Sequence, residues 1–510
     1  MTHTHAPADV LIVGGGLMGA AVAQLVRRAQ PDAHIVMVDG GSPIGSIPGQ
    51  HLHDTPEPAI WKRYNAEVQS GIQALYVGAE TSPDIGGTVV GAEPGMYHLS
   101  AFGEQADAMP ASAVAWNLGG MGVHWTAATP WPAGDEVFDH GDPDRWAADL
   151  DTARAVLRVH PAPFPLSRPG EAVLATLDAL LPSSPGRAPQ AMPMAVEPVV
   201  PGPMPRTGPN RIFPAIGTGD DPHFELRAGT LAVELLHDGT SCTGARVRDV
   251  AGDSEYTEYT VAARSTIVCA DTMRTPQLLF ASGIRMPALG RYLNEHAFLT
   301  GRVLVDLDRF GLTLADLPPR RADEWVADSL WIPHNGAANP FHGQIMNSVF
   351  VDDDNAPLAY SFGISLYVPT EIRAENRLVF SETETDAAGL PRITVEFGYS
   401  ERDLALIDEA RVTMRRLAEA FGPFDPESES MLLAPGSSLH YTGTVRMGGT
   451  DDGTSVCDAE GRVWGFDNLY VAGNGVVPTA LVCNSTLTGM ITAVRAARAV
   501  ARNIESVRVC

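Results

Sequence analysis

A glycine-rich turn near the N-terminus constrains the fold more than any other feature of the chain. The sequence reads VLIVGGGLMG over 10–19, and apolar residues then recur at helical spacing, which predicts a buried strand, a turn and a helix. Gly14 permits a tight turn, Gly16 lets a pyrophosphate approach the backbone, and Gly19 lets the helix pack closely on its strand. The free N–H groups and positive dipole end of that helix suit phosphates.

An acidic residue follows the next apolar run. Ile35–Val38 reads as a second buried strand and ends in Asp39, twenty residues beyond Gly19. A carboxylate at that spacing accepts hydrogen bonds from ribose hydroxyls. The whole pattern predicts a dinucleotide-binding α/β domain, and the alternative is a tight structural turn in an α/β sheet.

Length and charge limit the function classes. A chain of 510 residues exceeds one typical core, so two or three lobes are expected. Its 61 acidic residues against 35 Lys and Arg give a formal charge of −26, which disfavours nucleic acid and anionic membranes as partners. Solubility alone is the simpler explanation of this acidity. A neutral small-molecule substrate suits the surface.

The cysteines and the N-terminus bear on the compartment. Five cysteines without CxxC spacing indicate neither a disulfide framework nor a metal site, and a reducing compartment is expected. The first strand begins too early for a signal peptide, and no apolar run approaches the ~20 residues that span a bilayer. The sequence predicts a cytoplasmic protein without a membrane segment.

The domains are expected to interleave along the chain. Glycine-rich and β-branched runs assign four segments to the cofactor domain, namely 8–50, 110–130, 225–300 and 440–510. The intervening segments 51–109, 131–224 and 301–439 are assigned to a substrate domain. Within it, the proline-dense stretch 159–215 is either a lid or an ordered loop, since proline prevents continuous helix or central strand.

The second lobe alternates strand patterns with one amphipathic helix. The strand patterns lie at 301–308, 376–385 and 391–400, and the helix is predicted over 401–421. Its apolar face comprises Leu404, Ile407, Ala410, Met414 and Leu417. These patterns predict an antiparallel sheet with helices on one side, which suits the floor of a substrate cavity.

The last seventy residues carry the candidate chemistry. His440 lies in a glycine-rich loop, a short strand follows, and Asn484 opens a long helix. A loop histidine and a helix-opening asparagine on either side of a strand end can converge on one alcohol, which suggests oxidation. The alternatives are a structural histidine and a helix-capping asparagine.

Three segments together resemble a known family. The N-terminal fingerprint, the stretch Asn117–Pro130 with its HWT string, and the HYTGTVRMGG and NSTLTGM strings resemble the glucose-methanol-choline (GMC) oxidoreductases, especially their pyranose oxidase branch. The resemblance extends through NRLVFSETETDAAGLP. It implies a Rossmann-like FAD-binding domain interleaved with the substrate domain, and removal of two hydrogens from a secondary alcohol of a sugar ring.

The resemblance also implies roles for individual residues. His440 is the general base that takes the hydroxyl proton while hydride leaves for flavin N5, and Asn484 orients the hydroxyl. The implied FAD contacts are Gly14, Gly16, Leu17, Met18, Gly19, Asp39, Gly119, Gly120, Met121, His124, Trp125, Thr126, Ala270, Asn474 and Thr486. In fungal pyranose oxidases the histidine of a matching HWT string is bonded covalently to the flavin, whereas some bacterial relatives lack that bond. Both states stay open for His124.

The expected substrate follows from a departure from the fungal pattern. The loop over 349–357, with Asp352, Asp353, Asp354 and Asn355, does not preserve the fungal substrate loop. Compact bacterial members include enzymes that oxidise C3 of glycosides, including aryl C-glycosides. We therefore expect C3 of a glucoside ahead of C2 of free glucose, with O₂ or a quinone as electron acceptor and a monomer or small homo-oligomer.

Other classes remain open on sequence alone. A GMC enzyme acting on a non-sugar alcohol such as choline would suit the acidic loop. An NAD(P)-linked dehydrogenase would share the first fingerprint but leaves the C-terminal His and Asn without a task. A non-catalytic flavoprotein would bind sugar without bleaching the flavin.

Overall fold

The computed structural model describes residues 6–62, 85–198, 204–252, 256–318, 328–354 and 356–509. The strands, in chain order, are β1 (Ala8–Val13), β2 (Ile35–Asp39), β3 (Gly95–His98), β4 (Ala113–Trp116), β5 (Gln190–Ala191), β6 (Phe224–Ala228), β7 (Thr230–His237), β8 (Cys242–Asp249), β9 (Glu258–Val268), β10 (Ala297–Leu304), β11 (Leu330–Ile332), β12 (His342–Val351), β13 (Pro357–Val368), β14 (Arg377–Thr385), β15 (Pro391–Glu396), β16 (Ser430–Leu432) and β17 (Leu469–Val471). The longer helices are α1 (Leu17–Ala29), α2 (Pro143–Leu157), α3 (Arg168–Leu180), α4 (Asp271–Ala281), α5 (Glu401–Glu419) and α6 (Ser485–Val509). Four-residue helical turns lie at Pro209–Ile212, Ala215–Thr218 and Pro426–Glu429.

The first sheet is built around the N-terminal fingerprint. Its order is β6-β2-β1-β9-β8-β7, with β17 also paired to β9. Strands β6, β2, β1, β9 and β17 run parallel, whereas β7 and β8 extend β9 as an antiparallel ladder. All six residues of β1 are buried, as central parallel strands require. The predicted strand, turn and helix are confirmed, and α1 packs beside α6.

The second sheet is antiparallel and has the order β16-β10-β13-β12-β11-β5. Helix α5 packs on β10 and β13 through Ile407, Ala410, Met414 and Leu417, as predicted. Leu404 was wrongly assigned to this face, because the first turn of the helix turns it to solvent and leaves it 51% exposed.

Two of the predicted strand segments do not join this sheet. Among the strands of the described residues, β14 and β15 pair with each other and form a separate two-stranded sheet. Their apolar residues Leu378, Ile393 and Val395 pack into a separate cluster with Tyr97 and Phe102. Alternation of apolar residues identified these strands, but it carries no information on which partner they choose.

The proline-dense stretch 159–215 contains α3 and β5. The hydrophobic core that contains β1 and β2 also includes the buried residues Met192, Met194, Ala195 and Val196. Residues 199–203 lie outside the described ranges. A lid role for this stretch and the proposed domain boundaries stay predictions.

Within the described ranges, no helix combines the length and the hydropathy that crossing a bilayer requires. Cys242, Cys269, Cys457 and Cys483 are buried free thiols, and Cys510 lies outside those ranges.

Candidate active site

One cavity of about 980 Å³ runs from the glycine turn after β1 to the second sheet. Gly14 and Asp39 line it together with His440 and Asn484. This volume lies at the upper end of the range for small-molecule pockets. The cavity can therefore hold an extended cofactor together with a small substrate.

The glycines of the turn have different tasks. Gly14 has a φ of +104°, and a Cβ there would lie 2.5 Å from the Cys269 carbonyl oxygen. A Cβ on Gly19 would lie 2.0 Å from the Gly14 carbonyl oxygen. Gly16 has ordinary extended geometry, and its nearest neighbour would be the Gly119 oxygen at 3.6 Å. Gly14 and Gly19 are therefore needed for the backbone, whereas Gly16 keeps space free in the cavity.

Asp39 ends β2 with its carboxylate held by the turn. One oxygen accepts the Gly15 N–H at 2.7 Å and the other accepts the Gly41 N–H at 2.8 Å. Burial raises the pKa of Asp39 to about 6, although the two backbone hydrogen bonds oppose that rise. The remaining lone pairs are available to ribose hydroxyls.

Most residues expected to contact a cofactor share this cavity. The lining set comprises Gly14, Gly16, Leu17, Met18, Asp39, Gly119, Gly120, Met121, His124, Trp125, Thr126, Ala270, Asn474 and Thr486. Gly19 lies beneath the turn and does not line it. Helices α1 and α6 begin at the cavity and offer N–H groups to anionic oxygens. The buried Oδ1 of Asn474 has no partner among the described residues. The residues present therefore fit a dinucleotide.

His124 and Trp125 are both anchored to the protein. His124 Nε2 lies 2.9 Å from Asn117 Oδ1, and the Asn117 amide nitrogen donates to the Leu118 and Gly120 carbonyls. Those two donations fix the orientation of Asn117, so His124 donates to it through Nε2. Trp125 donates from Nε1 to the Thr207 carbonyl at 2.9 Å, which indicates packing.

His440 and Asn484 meet in the wall of the same cavity. His440 Nε2 lies 3.1 Å from Asn484 Nδ2. Leu439, which precedes the histidine, has a φ of +58°, a costly backbone conformation for a bulky residue. Burial lowers the pKa of His440 well below its usual value, and the neighbouring rings of His296 and His342 lower it further. The imidazole is therefore neutral at pH 7 and can accept a proton.

Two buried carboxylates hold the loops that carry this pair. Glu295 accepts the N–H groups of Gly436 and Ser438 at 2.6 and 3.0 Å, just before His440. Glu136 accepts the N–H groups of Val482 and Cys483 at 2.7 and 2.8 Å, just before Asn484. Burial raises the pKa of Glu136, but hydrogen bonds from His334 and three backbone N–H groups outweigh it and bring the value to about 2. Glu136 is therefore ionised.

Sequence reasoning missed the remaining polar groups around the pair. Gln344 donates from Nε2 to Asn484 Oδ1 at 2.6 Å. The rings of His296 and Tyr367 lie 5.1 and 5.2 Å from the ring of His440, measured between centroids. His342 Nε2 lies 3.2 Å from Gln344 Nε2. His296 precedes β10, His342 and Gln344 lie on β12, and Tyr367 lies on β13. No local spacing signals their convergence.

The loop singled out as a substrate loop lies elsewhere. Asp352, Asp353 and Asp354 are exposed where β12 turns into β13, and Asp352 Oδ1 accepts the Asp354 and Ala356 N–H groups. None of the three lines the cavity, and Asn355 lies outside the described residues. Substrate contact by this loop stays a prediction.

Comparison with known proteins decides the family. Models of the GMC oxidoreductase family match residues 224–298 and 373–493. A C-glycoside 3-oxidase of Arthrobacter globiformis is 35% identical over 99% of this chain and 98% of its own length. One of Microbacterium trichothecenolyticum is also 35% identical, over 98% of this chain and 97% of its own. The chain belongs to the GMC oxidoreductase family.

More distant similarities agree with this assignment. A pyranose 2-oxidase of Tricholoma matsutake is 29% identical over 77% of the chain and 74% of its own length. The structure of pyridoxine 4-oxidase from Mesorbium loti matches with a TM-score of 0.63 at 16% identity, covering 96% of this chain and 98% of that one, and shares its fold. This GMC oxidoreductase is an FAD-dependent enzyme acting on CH–OH donors. The expected α/β fold with an FAD-binding domain is confirmed.

Proposed function

We propose that this GMC oxidoreductase oxidises a ring secondary hydroxyl of a sugar or glycoside, with C3 of glucosides, including C-glycosides, as the preferred position. The observation that carries the proposal is the His440 and Asn484 pair, whose side chains lie 3.1 Å apart in the cavity that Gly14, Gly16 and Asp39 also line. The C-glycoside 3-oxidases that are 35% identical over nearly the full chain support the choice of substrate. The electrons pass on to O₂ or a quinone.

The chemistry divides between the cofactor and the protein. Bound FAD supplies a hydride acceptor at flavin N5. His440 Nε2 takes the hydroxyl proton, and this general-base contribution is worth about 10²–10⁴ in rate. The Asn484 amide donates to the same oxygen and holds it against His440. The sugar carbon loses a hydride and its oxygen a proton, which leaves the keto sugar.

The outer part of the cavity supports a glycoside over a free sugar. Beyond His440 the lining continues along the second sheet through Ser365, Gly363 and Arg302. A Cβ on Gly363 would have no neighbour closer than 3.9 Å. Met431, also in the lining, is 52% exposed. This open floor leaves room for an aglycone beyond the sugar ring.

Anaerobic mixing with two sugars tests the proposal. We expect an aryl C-glucoside to bleach the flavin absorbance faster than D-glucose does, because the open floor accommodates the aryl group. The product should be the 3-keto glycoside, identified by NMR after several turnovers with oxygen or a quinone. Preference for glucose with a 2-keto product would instead assign a pyranose 2-oxidase, and bleaching only by non-sugar alcohols would contradict both.

We propose that FAD is held without a covalent bond to His124. The ring already donates from Nε2 to Asn117 Oδ1, in a buried contact fixed by two backbone carbonyls. Acid precipitation should therefore release all the flavin into the supernatant. Flavin fluorescence that stays with the precipitated protein on a denaturing gel would contradict this expectation.

The affinity for FAD should fall in acid because of Asp39. Burial raises the pKa of Asp39 to about 6, and ribose hydroxyls that donate to the carboxylate would favour its charged form and lower that pKa. Binding then releases a proton below pH 6, so affinity weakens as pH falls. We expect about tenfold weaker binding at pH 5 than at pH 7, measured by flavin titration of the apoprotein. Asp39→Asn should flatten this profile.

A further inference from the structure

His440 ends a hydrogen-bond chain that starts at a buried carboxylate. Glu136 accepts the N–H of Val482 at 2.7 Å. The other side of the same peptide group, the Leu481 carbonyl, lies 2.8 Å from His296 Nε2. His296 Nδ1 in turn lies 3.2 Å from His440 Nδ1. The hydrogen-bonded series therefore runs from the Glu136 carboxylate through the peptide group of Leu481 and Val482 to the rings of His296 and His440. It ends at His440 Nε2, which faces Asn484.

The direction of each bond follows from its fixed ends. A carbonyl oxygen only accepts, so His296 carries its proton on Nε2 and has a lone pair on Nδ1. Burial lowers the pKa of His296 to about 4, so this ring is neutral. Two lone pairs would repel at 3.2 Å, and His440 must therefore carry its proton on Nδ1. Its Nε2 lone pair is then directed to Asn484 and the cavity.

We propose that His296 is a positioning residue that fixes the Nδ1–H tautomer of His440, and that Glu136 orients His296 through the Leu481–Val482 peptide group. The inference rests on the proposed role of His440 as the base. With the opposite tautomer His440 would present an N–H to the reacting hydroxyl and could take no proton from it. A buried carboxylate and a second imidazole thus do together what a single carboxylate does in a Ser-His-Asp triad.

This hydrogen-bonded series also stabilises protonated His440, which is the state that follows proton transfer. Once Nε2 holds a proton, the Nδ1–H bond to His296 becomes charge-assisted and stronger, and each link polarises the next. The charged or titratable groups that face His440 are His296 before β10, His342 on β12 and Tyr367 on β13, while Asn484 faces it from the start of α6. Loss of the acceptor should therefore lower the pKa of His440.

Two substitutions with similar polarity separate tautomer control from packing. Asn at position 296 places its oxygen where His296 Nδ1 lies, so it still accepts from His440. Gln places its polar atoms near the Nε2 position and offers no such acceptor. We expect anaerobic flavin reduction in His296→Gln to be about 100-fold slower than in the wild type. The reduction rate of His296→Asn should stay within about tenfold of the wild-type rate. The sugar concentration at half-maximal rate should change little in either variant.

The pH profile provides a second readout. The enzyme is kept at pH 7 and mixed with sugar at the final pH. The acid limb of the reduction rate should move to lower pH in His296→Gln and stay near the wild-type position in His296→Asn. His237→Asn is the matched control, because His237 Nε2 also lies 2.8 Å from a backbone carbonyl, that of Ser282, and His237 does not line the cavity.

The outcomes distinguish this inference from the proposed function. Equal rates in the Asn and Gln variants would overturn tautomer control by His296, because only the acceptor differs. If His440→Ala in the same experiment retained rapid reduction, the base assignment itself would fail. If His440→Ala is inactive while the two variants at 296 match each other, the role of His440 survives and only that of His296 falls.

Discussion

Replacing His440 with alanine should slow flavin reduction by sugar by about 10²–10⁴-fold while FAD stays bound. His440 lines the cavity, and its Nε2 lies 3.1 Å from the Asn484 amide nitrogen. Among the described side chains, His440 alone is hydrogen-bonded to both His296 and Asn484. Without the imidazole, the hydroxyl proton has no acceptor at that position. Stopped-flow absorbance of the flavin under anaerobic conditions measures the rate directly.

The control for this variant is a histidine of similar setting outside the cavity. His237→Ala removes a partly buried ring that contacts the Ser282 carbonyl and leaves the cavity lining intact. Its reduction rate should match the wild type. Reduction by His440→Ala at the wild-type rate would exclude the histidine as the base, and loss of flavin from the purified variant would show that the residue serves binding instead.

The cofactor half of the molecule could be predicted from sequence because its signals are local. The strand of 10–13, the glycine turn, α1 and Asp39 lie within thirty residues, and the geometry of such a unit fixes where its glycines and its acid lie. A sequence pattern therefore reveals a site when the residues of that site lie close together in the chain.

The other half of the candidate site could not be predicted in the same way. His296, Gln344 and Glu136 converge on His440 and Asn484 from distant parts of the chain. No spacing pattern in the sequence links any of them to His440 or Asn484, and only the pairing of β10, β12 and β13 brings two of these segments together. The acidic run at 352–354 is an exposed turn whose contact with substrate stays a prediction, because charge density in a sequence marks exposed turns as readily as sites.

Gly16→Val should remove FAD binding while leaving the apoprotein folded. The position has a φ of −71° and a ψ of −171°, which any residue adopts, and a Cβ would have no neighbour closer than 3.6 Å. The branched side chain would occupy the space in which a pyrophosphate approaches α1. Absorbance at 450 nm should be lost from the purified variant, whereas its far-UV circular dichroism should match that of the apoprotein.

Gly16→Val distinguishes a turn that binds the cofactor from a turn that is only structural. Substitutions at the neighbouring glycines cannot make this distinction. A side chain on Gly19 would meet the Gly14 oxygen at 2.0 Å, so Gly19→Ala disturbs the backbone whether or not a cofactor binds. Thermal unfolding with added FAD gives the quantitative test. Ligand at 100 times its dissociation constant stabilises the wild type by about 2.7 kcal/mol, and Gly16→Val should gain none of this. A variant that keeps its flavin would mean that the turn is structural and that the cofactor lies elsewhere in the cavity.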